Sequence, residues 1–202
     1  MNVLAISNQK GGVGKTTTAI SLAAALAEKG SRILLVDLDP QANATSGLGV
    51  SKHQPRSVYG VLVRDEPIAE AILPTSVPGL DIVPSSPDMA GAEVELVPLL
   101  AREFRLREAL PKAGEYDTVL IDCPPSLGLL TVNALVAADP ALLPVHGEDH
   151  PPDGPALPPA ADARVPLPPP PGRPSRLVQG GFGSPFGEGR ADRRRRTPPD
   201  NV

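Results

Sequence analysis

Through the first 145 residues, short apolar runs alternate with stretches whose apolar positions recur at helical spacing. Val3-Leu4-Ala5-Ile6 marks a first strand, predicted over residues 2–7. A helix is predicted from about Lys15 to Glu28, offering Ile20, Leu22, Ala23 and Leu26 for packing, with Gly30 as its stop. Residues 32–37 (RILLVD) read as a fully apolar strand that ends in a carboxylate. Leu80–Val83 and Thr118–Asp122 (TVLID) read as two more strands, and residues 141–145 as the last. Helices are predicted over residues 92–110, with a break at Pro98, and over Leu129–Ala137. Strands apolar on both faces belong inside a sheet that helices cover from both sides. The expected fold is therefore α/β, a doubly wound, mostly parallel sheet whose ligands bind at the carboxyl ends of the strands. Asp37, Asp39 and Asp122 fall at such ends.

Composition divides the chain unequally. Of 27 prolines, 11 fall in residues 1–139 and 16 in the remaining 63, whereas all five lysines and all seven isoleucines lie in the first part. The expected organisation is a domain over residues 1–145 and a Pro/Gly/Arg-rich, disordered tail over residues 146–202. The tail carries three readings: a polyproline linker presenting Arg193–Arg196, an ordinary disordered extension, or a GC-rich gene read out of frame. Aromatic residues make up 2% and Trp is absent, so the core must be aliphatic. A net charge of −4 gives no general reason to expect nucleic-acid binding. No apolar run reaches the ~20 residues of a membrane span, and no signal peptide precedes the first strand. A soluble, cytoplasmic protein is expected. Cys123 stands alone, without disulfide or zinc spacing, and is expected to be a small core or switch residue. His146 and His150 form no metal constellation. Glu93, Glu95, Arg102, Glu103, Arg105 and Arg107 read as a solvated helix face.

The richest chemistry lies between the first strand and the first helix, at Q-KGGVGKTTT over residues 9–18. Strand, glycine-rich loop and helix in this order make a phosphate-binding loop. Gly11, Gly12 and Gly14 free the backbone to turn its N–H groups toward phosphate oxygens at the positive end of the helix. The candidate nucleotide-binding residues are Lys10, Gly11, Gly12, Val13, Gly14, Lys15, Thr16 and Thr17. Lys15 would neutralise β/γ-phosphate charge and the Thr16 hydroxyl would ligate Mg²⁺. Asp122, closing an apolar strand before Cys123-Pro124-Pro125-Ser126, has the placement of a carboxylate that holds Mg²⁺ directly or through water. Asp37 and Asp39 lie on one side of an extended backbone, and burying both as anions needs a cation nearby.

One departure from the ordinary loop matters. Gln9 stands where G-x-x-x-x-G-K-[ST] has its first glycine, and Lys10 follows it. This deviant Walker A loop resembles that of the ParA/MinD class of P-loop ATPases. The stretch DLDPQANATSGLG over residues 37–49 resembles the ParA/Soj partition branch of that class. The resemblance implies ATP and Mg²⁺ as cofactors and an ATP-sandwich homodimer in which Lys10 reaches the partner's nucleotide. It implies that Lys10, Lys15 and Asp39 are catalytic, Asp39 orienting or activating the hydrolytic water. Residues 40–45 become a first switch and the DCPPS segment a second. A ParB-like protein and non-specific DNA are the implied partners in chromosome or plasmid segregation, with a nucleoid-associated location and no membrane.

The resemblance runs to about Val145, and the chain is expected to be truncated or frame-shifted beyond it. His146-Gly147 and residues 149–152 break the family pattern around Glu148. The family's last strands, most of its adenine pocket and its DNA-binding residues are then missing. Two alternatives stay open: a non-catalytic or defective remnant, and a MinD-like septum-site ATPase. The second needs a C-terminal amphipathic helix that this tail does not offer.

Overall fold

Five of the apolar runs lie side by side as parallel strands: β1 (Asn2–Ile6), β2 (Ile33–Asp37), β4 (Leu80–Val83), β5 (Thr118–Asp122) and β6 (Pro140–Leu142). The short strands β3 (Leu73–Pro74) and β7 (Val165–Pro166) pair antiparallel with β4 and β6. Among the described residues the sheet has the order β3-β4-β2-β5-β1-β6-β7. The computed structural model describes residues 1–144 and the backbone of residues 165 and 166. Val145, His146, Glu148, His150 and Arg193–Arg196 lie outside the described residues, as does all of the expected tail except residues 165 and 166.

Alternation along each strand sends neighbouring side chains to opposite faces. Leu34 and Val36 join a core beneath α3 (Val58–Val63), α4 (Met89–Leu96), α5 (Arg105–Ala109) and α6 (Leu129–Ala137). Ile33 and Leu35 join the opposite core beneath α1 (Lys15–Glu28). Every residue of β2 is buried, which explains its unbroken apolar run. On α1 the buried apolar stripe is Ala19, Ala23 and Ala27, four residues apart; the longer Ile20, Leu22 and Leu26 pack beside it, partly exposed. The alanines admit close approach to the sheet. The helix ends as expected at Gly30, whose φ of 90° is open to glycine and whose N–H bonds Ala27 O at 2.9 Å.

Several expectations need correction. The interruption in residues 92–110 is longer than a break at Pro98. Helix α4 begins earlier, at Met89, and stops at Leu96. Residues 97–104 then run through turns, with Ala101 at φ 50°, before α5 and a 3-10 turn over Leu110–Lys112. Proline lacks the N–H needed to continue the ladder, and a left-handed alanine ends the helical path outright. Nor are Glu93 and Arg105 a solvated face. Glu93 Oε1 and Arg105 Nε are buried without a hydrogen-bond partner among the described residues, and Arg105 reaches Asp65 at 3.5 Å. Glu95 does more than face water, accepting a 2.8 Å bond from the Tyr59 hydroxyl. Sequence periodicity did not predict α2 (Asn43–Gly47), α3 or β3.

Candidate nucleotide-binding site

The register places the functional groups. Asp37 of β2 and Ile6 of β1 both pair with Asp122 of β5. The loop that leaves β1 therefore arches beside two strand-ending carboxylates. In that loop the Lys10 N–H bonds Asn8 Oδ1 at 3.0 Å, and buried Val13 anchors the middle. Gly12 and Gly14 have φ values of 75° and 84°, so the turn into α1 requires residues without a Cβ. Gly14 is itself the residue that caps α1, and its carbonyl accepts the first helical bond, from Thr18 N at 2.8 Å.

Lys15 begins that helix with its side chain folded back along the loop. The residue is 7% exposed, and Nζ donates to the Lys10 carbonyl at 3.2 Å. Lys10, in the same loop, is exposed. Of the two lysines, Lys15 is thus the one enclosed by the loop. Thr16 is partly buried and Thr17 exposed.

The three carboxylates are in unlike environments. Asp37 is fully buried and accepts hydrogen bonds from Asp39 N at 3.1 Å, Thr45 N at 2.8 Å and Thr45 Oγ1 at 2.7 Å. Burial pushes its carboxyl up to about 6, Asp39's charge adds to this, and the hydrogen bonds oppose it. These hydrogen bonds offset part of the cost of burying the carboxylate without outweighing it. Asp39 is 7% exposed, with Oδ1 accepting from Gln41 N at 2.9 Å.

Asp122 differs. It is fully buried, and neither carboxylate oxygen has a hydrogen-bond partner among the described residues. Burial pushes it up to about 7, and the charges of Asp37 and Asp39 raise it further. The Thr16 hydroxyl and Lys15 pull the other way, although the hydroxyl falls short of hydrogen-bond geometry to the carboxylate. An unpaired buried carboxylate is costly. Beside a phosphate cradle, that cost fits a site completed by a divalent cation. Among the described residues no group of three or more His, Cys, Asp or Glu side chains could hold a metal alone. Mg²⁺ characteristically takes one or two carboxylates plus substrate phosphates, and this donor set suits it.

A family model described as an AAA domain matches residues 1–157. The chain belongs to this family. It is 59% identical over 148 residues to "Chromosome partitioning protein ParA" of Myxococcus xanthus, covering 72% of this chain and 52% of the relative. Identity to "Sporulation initiation inhibitor protein Soj" of Bacillus subtilis is 54% over 148 residues, or 72% of this chain and 58% of the relative. A solved structure of cobyrinic acid a,c-diamide synthase from Mycobacterium smegmatis, with bound ATP analog and magnesium, superposes with a TM-score of 0.69. It is 48% identical and is matched over 72% of this chain and 60% of its own. The ParA/Soj resemblance of residues 37–49 is thus part of a likeness that spans most of the described residues, and the fold is that of these P-loop proteins. The chain spans little more than half the length of the curated relatives it matches.

The structure brings residues 10–17, Asp39 and Asp122 to one end of the sheet. Cys123 is buried as expected, with its thiol pushed up to about 12 chiefly by burial. Sequence reasoning missed Thr45 as Asp37's partner and missed Ser85 altogether. Thr45 stood in the recognised DLDPQANATSGLG segment, but its hydroxyl could not be singled out there. Ser85 follows β4 without any motif. Among the described residues no helix is long and apolar enough to cross a membrane.

Proposed function

We propose that this chain binds Mg·ATP in the loop over residues 10–17 and hydrolyses it as a partition ATPase. The observation that carries this reading is a buried Asp122 carboxylate, without a hydrogen-bond partner among the described residues, at the same end of the sheet as the loop that encloses Lys15. In the proposed site Lys15 and the amides of residues 11–17 hold the β- and γ-phosphates. The Thr16 hydroxyl and Asp122 hold Mg²⁺, which when bound neutralises charge on phosphate oxygens. Asp39 orients the attacking water, and the exposed Lys10 reaches the nucleotide of a second copy in an ATP-sandwich dimer. Nothing in this scheme needs a covalent intermediate, since positioning and charge stabilisation supply the catalysis.

Chromosome or plasmid segregation with a ParB-like partner and non-specific DNA follows from the ParA and Soj relatives, and with it a cytoplasmic, nucleoid-associated location. The relatives' remaining length has no counterpart among the described residues, so this larger role rests on likeness alone. The first test is ATP turnover by the full chain beside Lys15→Ala and Asp39→Ala. Turnover that falls in both supports the assignment, and equal rates in all three would sink it. A chain that binds Mg·ATP without turning it over would instead be a nucleotide-binding remnant.

A further inference from the structure

The groups that hold Asp39 form a closed ring. The Asp39 N–H donates to Asp37 Oδ1 at 3.1 Å. Asp37 Oδ2 accepts from Thr45 Oγ1 at 2.7 Å, and that same hydroxyl oxygen accepts from Ser85 N at 2.9 Å. Ser85 Oγ then closes the ring by donating to the Asp39 carbonyl at 2.7 Å, which also accepts from Ala42 N at 2.8 Å. Asp37, Thr45 and Ser85 are fully buried. The ring ties together the end of β2, helix α2 and the segment after β4.

We infer that Thr45 and Ser85 are positioning residues for Asp39 in ATP hydrolysis. The inference rests on the proposal that Asp39 acts on the attacking water. Asp39 lies beyond the last paired residue of β2, and Asp37 is the final rung to β5. Without further support its backbone would be free to rotate. The ring fixes that backbone on both sides, at its N–H and at its carbonyl, while the Asp39 side chain takes no part in the ring. A water-orienting carboxylate must stay within a fraction of an ångström of its productive place. Thr45 suits the task chemically, because one hydroxyl serves as donor to Asp37 and acceptor from Ser85. A valine of the same shape can do neither.

The support extends outward. Ser86 Oγ accepts from Ser57 Oγ at 3.1 Å, and Pro84 O accepts from Val58 N at 2.9 Å. The segment carrying Ser85 is therefore pinned to the start of α3. None of these contacts involves the phosphate-binding loop. Loss of the ring should consequently affect turnover more than nucleotide affinity.

The test uses the full chain and the variants Thr45→Val, Thr45→Ser and Ser85→Ala. Three quantities are measured: turnover at saturating Mg·ATP, Kd for ATP, and amide hydrogen exchange across residues 38–42. Thr45→Val should lower turnover by about tenfold or more, with Kd within about twofold, and speed exchange at the Asp39 amide. Thr45→Ser, which restores the hydroxyl, should recover turnover to within about threefold. Ser85→Ala removes only the bond to the Asp39 carbonyl and should give a smaller loss of the same kind, readable even if Thr45→Val does not fold. Unchanged turnover and exchange in Thr45→Val and Ser85→Ala would overturn the inference. So would turnover and affinity falling together without rescue by Thr45→Ser. If the unaltered chain turns over no ATP, the proposed function fails; exchange alone then decides whether the ring holds Asp39.

Discussion

Replacing Asp122 with asparagine should stabilise the nucleotide-free protein at alkaline pH while weakening its response to Mg·ATP. Asp122 is fully buried, lacks a hydrogen-bond partner among the described residues and is pushed from 3.8 up to about 7 by burial. The folded state therefore keeps this proton longer than the unfolded chain does. Stability associated with the protonated carboxyl is fully present below about pH 4 and is lost as pH rises through about 7. A shift of roughly three units corresponds to about 4 kcal/mol once the group is fully ionised. Asparagine removes the charge but leaves an amide in the same unpartnered place, which returns ~1–3 kcal/mol of that gain. The net expectation is a gain of about 1–3 kcal/mol at pH 8 and a loss of ~1–3 kcal/mol near pH 4, where the native carboxyl is protonated and only the amide's cost remains, the two differing by the full ~4 kcal/mol. For a chain of this size the gain at pH 8 is a rise in Tm of roughly 2–10 °C. Thermal denaturation of both proteins at pH 5 and pH 8, with and without Mg·ATP, reads the difference. Equal destabilisation of Asp122→Asn at both pH values would refute the reasoning, because the buried charge would then not be a liability in the empty fold. A ligand-induced Tm rise as large in the variant as in the native chain would remove Asp122 from the proposed Mg²⁺ site.

Other expectations concern packing, strain and reactivity. Leu35→Ala, at a fully buried position of β2 under α1, should cost ~2–5 kcal/mol by chemical denaturation. Ala101→Gly should raise stability by ~0.5–1 kcal/mol, since relief of left-handed strain outweighs the added freedom of the unfolded chain. The same melt with unchanged or lower Tm would mean that the turn at φ 50° carries no strain. Cys123, buried and pushed up to about 12, should react with a thiol reagent only as fast as the protein unfolds.

How much of this was legible in the sequence depended on whether local pattern and tertiary role agreed. Helix α1, β4, β5 and α6 begin and end where their apolar periodicity and stop signals place them. In β2 the run of Ile33, Leu34, Leu35 and Val36 could only belong to a strand buried on both faces. Helices α2 and α3 were not legible for opposite reasons. The Asn43–Gly47 segment contains weak helix formers, and it is held in place by Asp37's bonds to Thr45, a tertiary cause. Val58–Val63 carries three valines that favour strands, yet it is coiled and buried against α4 and α5. The phosphate loop was readable because its chemistry is local, a few consecutive residues doing one task. Asp37's partnership was not, because two of its three donors come from Thr45, eight positions on, and the Thr45 hydroxyl in turn accepts from Ser85, forty positions further. The charged stretch around Glu93 and Arg105 misled for a similar reason: nothing local shows which polar side chains a neighbouring element will cover.

The most direct test of the central claim is calorimetric titration of the full chain with ATP, in the presence and absence of Mg²⁺, beside Lys15→Ala. Saturable binding at one site per chain is expected, tighter with Mg²⁺, and lost or greatly weakened in the variant. Binding of equal strength in both proteins, indifferent to Mg²⁺, would contradict the claim.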